Sequence, residues 1–213
     1  EMLRSLVGSE MCIRDRCDRM DAVIDFSAPA SLPALAAYVQ RTGTPLVSGT
    51  TGYCDEEAAR VNALGSYAPV AVSANFSIGV AVLKHLAAEA AALLPDFDIE
   101  IIETHHRMKK DAPSGTAKLL LSAVNPDGTH PTVFGREGFA PRTADEIGVH
   151  AVRGGTVAGV HTVSFFGDEE ELSLTHRAES RRIFAIGALK TAEKLKDAPV
   201  GLHTLDELLF ARR

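Results

Sequence analysis

The segment from Asp98 to Lys118 contains the densest set of residues in this chain that could do chemistry. His105 and His106 are adjacent, and Lys109 follows within a basic cluster. Histidine titrates near neutral pH and is the usual proton carrier in enzymes. A lysine close to other cations serves either as a carboxylate anchor or as a proton donor with a lowered pKa. Both lysine roles suit a substrate that carries two negative charges.

The same segment continues into a turn that is suited to binding an anion. Residues 99–102 are predicted to form a strand, and Gly115 to Val124 a short apolar helix. The free amides of Gly115 and Thr116 at the start of that helix, with the threonine hydroxyl, suit a carboxylate. Asp111 is interpreted as a structural cap of the turn. The GxxxxGK[ST] pattern is absent, which argues against nucleotide hydrolysis.

A zinc site is disfavoured at the histidine pair. Adjacent residues at the end of a strand point to opposite sides, so His105 and His106 are expected to serve different tasks. A tetrahedral zinc site would also need further ligands, and the sequence offers no nearby cysteine or suitably spaced third histidine. No metal is therefore predicted.

Composition restricts the class of protein. The chain has 213 residues, 46% of them hydrophobic, and a net charge of −6, which argues against nucleic acid or an anionic membrane as the main partner. No apolar run approaches the roughly 20 residues of a membrane span. Its three cysteines, Cys12, Cys17 and Cys54, include no CxxC spacing, so no disulfide framework is indicated. A cytoplasmic protein is predicted.

The chain has two regions that differ in their predicted order of strands and helices. From Ala22 to Phe76 strands alternate with helices, beginning with a buried strand at Ala22–Phe26 and a helix predicted to be capped by Ser27 and ended by Gly43. Between Thr132 and Glu179 strands follow one another without helices, which predicts an open, mixed sheet. We expect self-association through its exposed face, since such a face would otherwise be uncovered.

Several sequence motifs of this chain resemble those of one known family. HHRMKKDAPSGTA, preceded by IEIIET, resembles the signature of dihydrodipicolinate reductase, also called 4-hydroxy-tetrahydrodipicolinate reductase. The stretches VIDFSAPASL, SGTTGY, SANFSIGV, GREG, VRGGTVAGVHTVSF and LTHRAESRRIFAIGAL look like that family in the same order. The resemblance covers nearly everything from Asp21 to the end of the chain.

This resemblance implies a fold and a reaction. The implied fold is α/β, with a partial Rossmann-like nucleotide domain and an α+β substrate domain with an open mixed sheet. The implied reaction is an NADH- or NADPH-dependent hydride transfer to C4 of a cyclic unsaturated imine dicarboxylate, then protonation of the neighbouring carbon, in lysine and diaminopimelate biosynthesis. The preferred cofactor, and the choice between hydroxylated and dehydrated substrate, stay open. A homotetramer is expected.

The family motifs also imply residue roles. His105 matches the acid/base residue and Lys109 the proton donor, while His106, Gly115 and Thr116 match residues that hold the substrate carboxylate. Two further groups match segments that line the nicotinamide or lie near the hinge that closes over the cofactor: Gly49, Thr50, Thr51, Ser73, Ala74, Asn75, Phe76, Arg181 and Phe184.

The sequence departs from the family pattern at its start. No glycine-rich GxGxxG turn precedes Ala22, and residues 1–16 are interpreted as non-native or disordered. Residues 17–76 and 181–213 are predicted to be the remnant of a dinucleotide-binding domain, and residues 77–180 a substrate-binding and oligomerisation domain. We expect an N-terminally truncated copy that binds dinucleotide poorly and turns over slowly.

Two other readings compete with this one. Another two-domain dehydrogenase, acting for example on an amino-acid semialdehyde, commonly needs a catalytic cysteine or a different set of lysine and aspartate residues. Cys54 has no neighbouring base in sequence. A non-catalytic dicarboxylate-binding or oligomerisation module is the alternative from a different class. Binding of dipicolinate without oxidation of NADH would favour that module.

Overall fold

The computed structural model describes residues 18–210, which divide into two units. One unit contains the chain up to Ala74 and again from Ala188, and the other contains Asn75–Gly187. The prediction for residues 1–16 lies outside the described residues. The α/β class predicted from the sequence is confirmed, with a parallel Rossmann-like sheet in the first unit and a mixed sheet in the second.

The first unit is built on a four-stranded parallel sheet with the order β1-β2-β3-β9. The two-residue strand β9 was not predicted, because it is too short to show any alternation of apolar and polar residues. The elements are β1 (Val23–Asp25), α1 (Leu32–Thr42), β2 (Leu46–Ser48), α2 (Asp55–Ala63), β3 (Pro69–Val72), β9 (Gly201–Leu202) and α6 (Leu205–Phe210), with 3-10 turns at Pro29–Ser31 and Leu64–Ser66.

Helix α1 covers this sheet with one apolar stripe. Leu32, Ala36 and Val39 recur at helical spacing and are almost fully buried. Gly43 ends the helix in the left-handed region, with φ of 63°, as predicted. The prediction that Ser27 caps α1 is wrong. A 3-10 turn at Pro29–Ser31 lies between Ser27 and the helix, and the Ser27 hydroxyl donates to the carboxylate of Asp25.

The second unit contains a five-stranded mixed sheet with the order β5-β6-β4-β7-β8. Strands β5, β6 and β4 are parallel, whereas β7 is antiparallel to β4 and to β8. The elements are α3 (Ile78–Leu93), β4 (Asp98–His105), α4 (Gly115–Val124), β5 (Thr132–Phe134), β6 (Ile147–Arg153), β7 (Gly159–Phe166), β8 (Glu171–Ala178) and α5 (Arg182–Leu195), the last of which continues into the first unit.

Helices α3 and α4 bury one face of the mixed sheet. Leu83 of α3 and Leu120 of α4 share an apolar core with Ile101, Val163 and Phe165. The opposite face carries the alternate residues of each strand, in line with the period of two along a strand. Within residues 18–210, no helix has the length and apolar character needed to cross a membrane.

Candidate functional site

Strand β4 ends with a buried carboxylate and imidazole on the same side. Ile99, Ile101, Glu103 and His105 alternate onto one face, so the two titratable residues enter the interior beside the helices. Glu103 is 0% exposed and His105 is 9% exposed. The Nδ1 atom of His105 lies 2.5 Å from Oε2 of Glu103. The sequence therefore places a charged group where an apolar residue is the rule.

Glu103 is held by further donors. Arg153, at the end of β6, donates from Nη1 to Oε2 and from Nη2 to Oε1, both at 2.8 Å. The Ser114 amide donates to Oε1 at 3.0 Å. Burial acts to raise the pKa of Glu103, but the hydrogen bonds from Arg153, His105 and Ser114 outweigh it and lower the pKa. The group is therefore a carboxylate at neutral pH.

A second buried histidine lies beside the first. The rings of His105 and His161 are 5.1 Å apart between centroids and meet edge to face. The Nε2 atom of His161 lies 3.0 Å from the Ser114 hydroxyl, whereas its Nδ1 atom has no hydrogen-bond partner among the described residues. Burial and the neighbouring His105 lower the pKa of His161 to about 4. His161 is thus uncharged at neutral pH.

His106 faces a different environment from His105, as the sequence predicts for adjacent residues. A cleft of about 420 Å³ is lined by His106, Arg107, Arg181 and backbone near Gly155. Arg181 Nη2 lies 3.2 Å from His106 Nε2, so the imidazole accepts through that atom. The cleft therefore combines two guanidinium groups with an imidazole, a set of donors that suits a carboxylate.

Lys109 pairs with an acidic neighbour. Its Nζ atom lies 2.8 Å from Oδ1 of Asp111, and that hydrogen bond lowers the pKa of Asp111. The predicted capping role of Asp111 is wrong, because Ser114 caps α4 by accepting from the Ala117 amide. The shorter serine side chain sits at the N-cap itself, whereas Asp111 lies three residues earlier, beside the lysine.

The start of α4 is open at the positions predicted to bind a carboxylate. Amides in the first turn of a helix have no intrahelical acceptor. Nothing lies within 4 Å of where a Cβ of Gly115 would be. The Thr116 hydroxyl accepts from Nδ2 of Asn75 at 2.8 Å. Asn75, predicted as a cofactor residue, is therefore joined to a predicted substrate residue.

In the first unit, the predicted nicotinamide segment follows β2 at the carboxyl edge of the sheet. The Thr50 hydroxyl donates to Asp25 Oδ2 at 2.7 Å and accepts from the Ser27 amide at 3.0 Å. A Cβ at Gly49 would overlap the Phe26 ring, so a larger residue there would require that half-exposed ring to move. Thr51 is exposed. Ligands of open α/β sheets bind at this edge, so these residues fit a nicotinamide cofactor.

The remaining predicted cofactor residues are dispersed along the chain. The Ser73 amide bonds the Ser48 carbonyl at 3.1 Å, and Ala74 is exposed. Phe76 is buried, and Phe184 is half-buried in α5. The site thus includes two catalytic candidates, His105 and Lys109, that have different carboxylate partners.

Comparison with known proteins decides the family. Residues 7–76 match the family model described as Dihydrodipicolinate reductase, N-terminus, and residues 79–209 match Dihydrodipicolinate reductase, C-terminus. The chain belongs to the dihydrodipicolinate reductase family. The predicted resemblance is therefore confirmed, and the chain is an NADH- or NADPH-dependent oxidoreductase of lysine and diaminopimelate biosynthesis.

Individual relatives agree with this family. A 4-hydroxy-tetrahydrodipicolinate reductase from Exiguobacterium sp. is 45% identical over 89% of this chain and 76% of its own length. One from Methanocorpusculum labreanum is 44% identical over 89% of this chain and 75% of its own. The solved structure of a dipicolinate-bound dihydrodipicolinate reductase from Paenisporosarcina sp. TG-14 has a TM-score of 0.73 and 26% identity, covering 89% of this chain and 74% of that one.

Family membership leaves one prediction open. The expected weakness in dinucleotide binding depends on residues outside those described, and it stays a prediction. The N-terminal family match begins at residue 7, inside the segment that was interpreted as non-native.

Sequence reasoning missed several residues of this reductase site. Glu103, Arg153, His161 and Asp25 were not singled out, although the first three surround His105 and the last holds Thr50. One signal was available for two of them: Glu103 and Asp25 each lie at a buried position in a strand pattern of apolar residues. A buried carboxylate needs partners, so such a position predicts a network.

Proposed function

We propose that the chain reduces 4-hydroxy-tetrahydrodipicolinate, or its dehydrated form, to tetrahydrodipicolinate. His106 and the first amides of α4, those of Gly115 and Thr116, hold the substrate carboxylates. Lys109 delivers the proton to the carbon beside the hydride acceptor, and His105 serves as the acid/base residue. Gly49, Thr50, Thr51, Ser73, Ala74, Asn75, Phe76, Arg181 and Phe184 form the cofactor-binding set.

One observation carries this proposal: a single carboxylate joins the imidazole and the anion-binding helix start. Glu103 bonds both Nδ1 of His105 and the amide of Ser114, which directly precedes Gly115. The imidazole of His105 and the start of α4 are thus joined within one hydrogen-bonded cluster. The dipicolinate bound in the Paenisporosarcina structure is a small cyclic dicarboxylate of the kind this cluster suits.

The chain's residues have separable tasks in this reaction. When bound, NADH or NADPH supplies the hydride. Arg107 and His106 line the cleft with groups that offset the charge of a carboxylate, and Arg181 of the cofactor-binding set bonds His106 there. The ammonium group of Lys109 is oriented by its hydrogen bond to Asp111, and transfer of its proton completes the reduction.

Steady-state kinetics with the full chain test this proposal. Oxidation of NADPH and NADH is followed after addition of the cyclic substrate, and dipicolinate binding is measured by calorimetry in parallel. Lys109→Met is expected to lower kcat about 100-fold or more, since general acid catalysis contributes that much. Lys118→Met, an exposed position on α4, is the matched control and is expected to retain activity.

The two measurements separate the competing functions. Substrate-dependent oxidation that is lost in Lys109→Met supports the reductase. Dipicolinate binding without oxidation of either cofactor would favour the non-catalytic module. Full activity in Lys109→Met would remove Lys109 from the mechanism.

We further propose that the open face of the mixed sheet assembles the chain into a homotetramer. Ile102 and Val152 on this face are 40% and 47% exposed, and Phe166 at its edge is 38% exposed. Polar pairs such as Thr162 and Thr175, 3.0 Å apart, lie among them. A sheet face of this mixed character suits an interface between identical subunits.

We also propose a cytoplasmic location. Cofactor-dependent biosynthesis of this kind draws on intracellular pools of NADH and NADPH. Cys54 is exposed and has no disulfide partner within residues 18–210, and a free thiol of this kind persists in a reducing compartment.

A further inference from the structure

Glu103 accepts from four donors and has no proton of its own to give. Two of these donors are on Arg153, one is the Ser114 amide, and the fourth position is taken by His105 Nδ1. An ionised carboxylate can only accept hydrogen bonds. Nδ1 of His105 must therefore carry the proton in this contact.

The other ring nitrogen of His105, Nε2, is available to exchange a proton. If Nδ1 is protonated, the neutral ring presents Nε2 as its only lone pair. Nε2 lies against Gly159 of β7, where an added Cβ would stand only 3.1 Å from it. The absence of a side chain at Gly159 keeps this nitrogen uncovered on that side.

We propose that Glu103 is a positioning residue of the reductase: it fixes His105 as the Nδ1-protonated tautomer and reserves Nε2 for proton exchange with the substrate. Arg153 holds the carboxylate in place for this purpose. The inference rests on the proposed acid/base role of His105, and it assigns the reacting atom, the tautomer and the two residues that set them.

The substitution Glu103→Gln distinguishes this role from simple packing. Glutamine has nearly the same shape, but one of its two head-group atoms is an NH₂ donor. On the Ser114 side, this NH₂ would face the donors of Arg153 and the Ser114 amide. On the His105 side, the NH₂ would face one Arg153 donor, Nη1, and the conflict with His105 is removed if His105 moves its proton from Nδ1 to Nε2. This orientation leaves one opposed donor, against two on the Ser114 side. The variant is therefore expected to reverse the tautomer.

Nitrogen NMR of the full chain labelled with ¹⁵N-histidine measures this directly. The His105 signals are assigned by their loss in His105→Gln. The wild type is expected to show Nδ1–H at His105, and Glu103→Gln to show Nε2–H. An Nε2–H tautomer in the wild type, or an unchanged Nδ1–H tautomer in a folded Glu103→Gln variant, would overturn the proposal.

The chain provides a matched control. His85 Nε2 lies 3.3 Å from Glu89 Oε1 on the surface of α3, so it is a second histidine–glutamate pair without burial. Glu89→Gln is expected to leave the His105 signals and the activity unchanged. A change at His105 in this control would show that the effect does not come from the Glu103 contact.

Kinetics complete the test and separate it from failure of the proposed function. Glu103→Gln is expected to lower kcat about 100-fold or more, with the KM for substrate changed by less than about threefold, because a wrong tautomer impairs proton transfer and not binding. Retained activity in His105→Gln would instead overturn the role of His105, whatever tautomer is found. If Glu103→Gln instead loses kcat/KM through a raised KM with kcat unchanged, the positioning role would be overturned.

A second variant keeps the inference testable if Glu103→Gln does not fold. Arg153→Lys preserves a cation beside Glu103 but loses the two-pronged contact. It is expected to retain Nδ1–H at His105 and to lose about tenfold in kcat, since the carboxylate is less firmly placed. Conversion of His105 to Nε2–H while the glutamate is still present would contradict the proposal.

Discussion

His161 shows how strongly burial and a neighbouring imidazole lower the pKa of one residue of this site. The side chain is 4% exposed, and its hydrogen bond to Ser114 satisfies only one ring nitrogen. Its charged form is disfavoured by the loss of water and by His105 nearby. The residue is therefore an uncharged neighbour of His105. Its lowered pKa makes the stability of the folded state decrease at acidic pH.

The acid sensitivity can be measured as a free energy of unfolding. The pKa of His161 falls from 6.5 in the unfolded chain to about 4 in the folded one. Unfolded chains bind the proton first, so stability is complete above the unfolded pKa and is lost as pH falls from about 6.5 to about 4. His161→Gln is expected to remove on the order of 3 kcal/mol of this pH dependence.

Urea unfolding at neutral pH and near the folded pKa provides the comparison. His85→Gln, on the exposed face of α3, is the matched control for replacing a histidine by glutamine at a surface position. If His161→Gln keeps the same slope of stability against pH, His161 is not the group responsible.

At the residue scale, the sequence predicted which groups carry charge but not how they pair. The motif around His105 and Lys109 identified both candidates, and the adjacency of His105 and His106 predicted different surroundings for the two histidines. Their carboxylate partners, Glu103 and Asp111, were missed or given another role. Pairing depends on register between strands: Arg153 lies opposite His105 only because β6 runs parallel to β4 with this offset.

At the scale of elements, α4 depends on Ser114 for both its start and its connection to the site. The hydroxyl accepts from the Ala117 amide at 3.1 Å, and the Ser114 amide donates to Glu103. A serine N-cap satisfies one of the amides that a helix leaves without an internal acceptor. The same hydroxyl also lies beside His161.

Ser114→Ala is therefore expected to destabilise the chain by about 1–2 kcal/mol, since it removes a cap and a buried hydrogen bond. Ser122→Ala, an exposed position inside the same helix, should be neutral or slightly stabilising because alanine has the higher helix propensity. Denaturant unfolding of both variants measures the difference. Equal stability of the two would contradict the capping role.

Element boundaries were predictable where a residue type dictates them. Gly43 ends α1, and α4 spans the predicted Gly115 to Val124, because glycine and the apolar stripe leave a local signal. The cap at Ser27 failed because Asp25, two residues earlier, competes for its hydroxyl. Such competition depends on the tertiary position of a buried carboxylate, which the local sequence does not reveal.

At the scale of the whole molecule, the open sheet face is expected to decide the state of assembly. Ile102 projects from the middle of β4 on this face and is 40% exposed. Ile102→Asp places a charge there that would have to be desolvated on association. The wild type is expected to sediment as a tetramer and the variant as smaller species. Lys118→Asp, on the exposed surface of α4, is the control.

Sedimentation velocity over a range of protein concentrations reports the outcome. A monomeric wild type, or a tetramer that persists in Ile102→Asp, would contradict assembly through this face. The α/β class and the mixed sheet were predictable from alternation along the strands, but the choice of partner surface required knowing which strands are neighbours.

The segment from His106 to Pro113 is fastened at both ends and in its middle. Glu103 precedes it and bonds Ser114 after it, Arg107 donates its amide to the Gly155 carbonyl, and Arg153 donates to the Asp111 carbonyl. Inserting residues here would strain these attachments instead of widening the opening. Engineering acceptance of bulkier heterocycles should therefore begin with the side chains of the cleft, such as Met108, and leave the length of this segment unchanged.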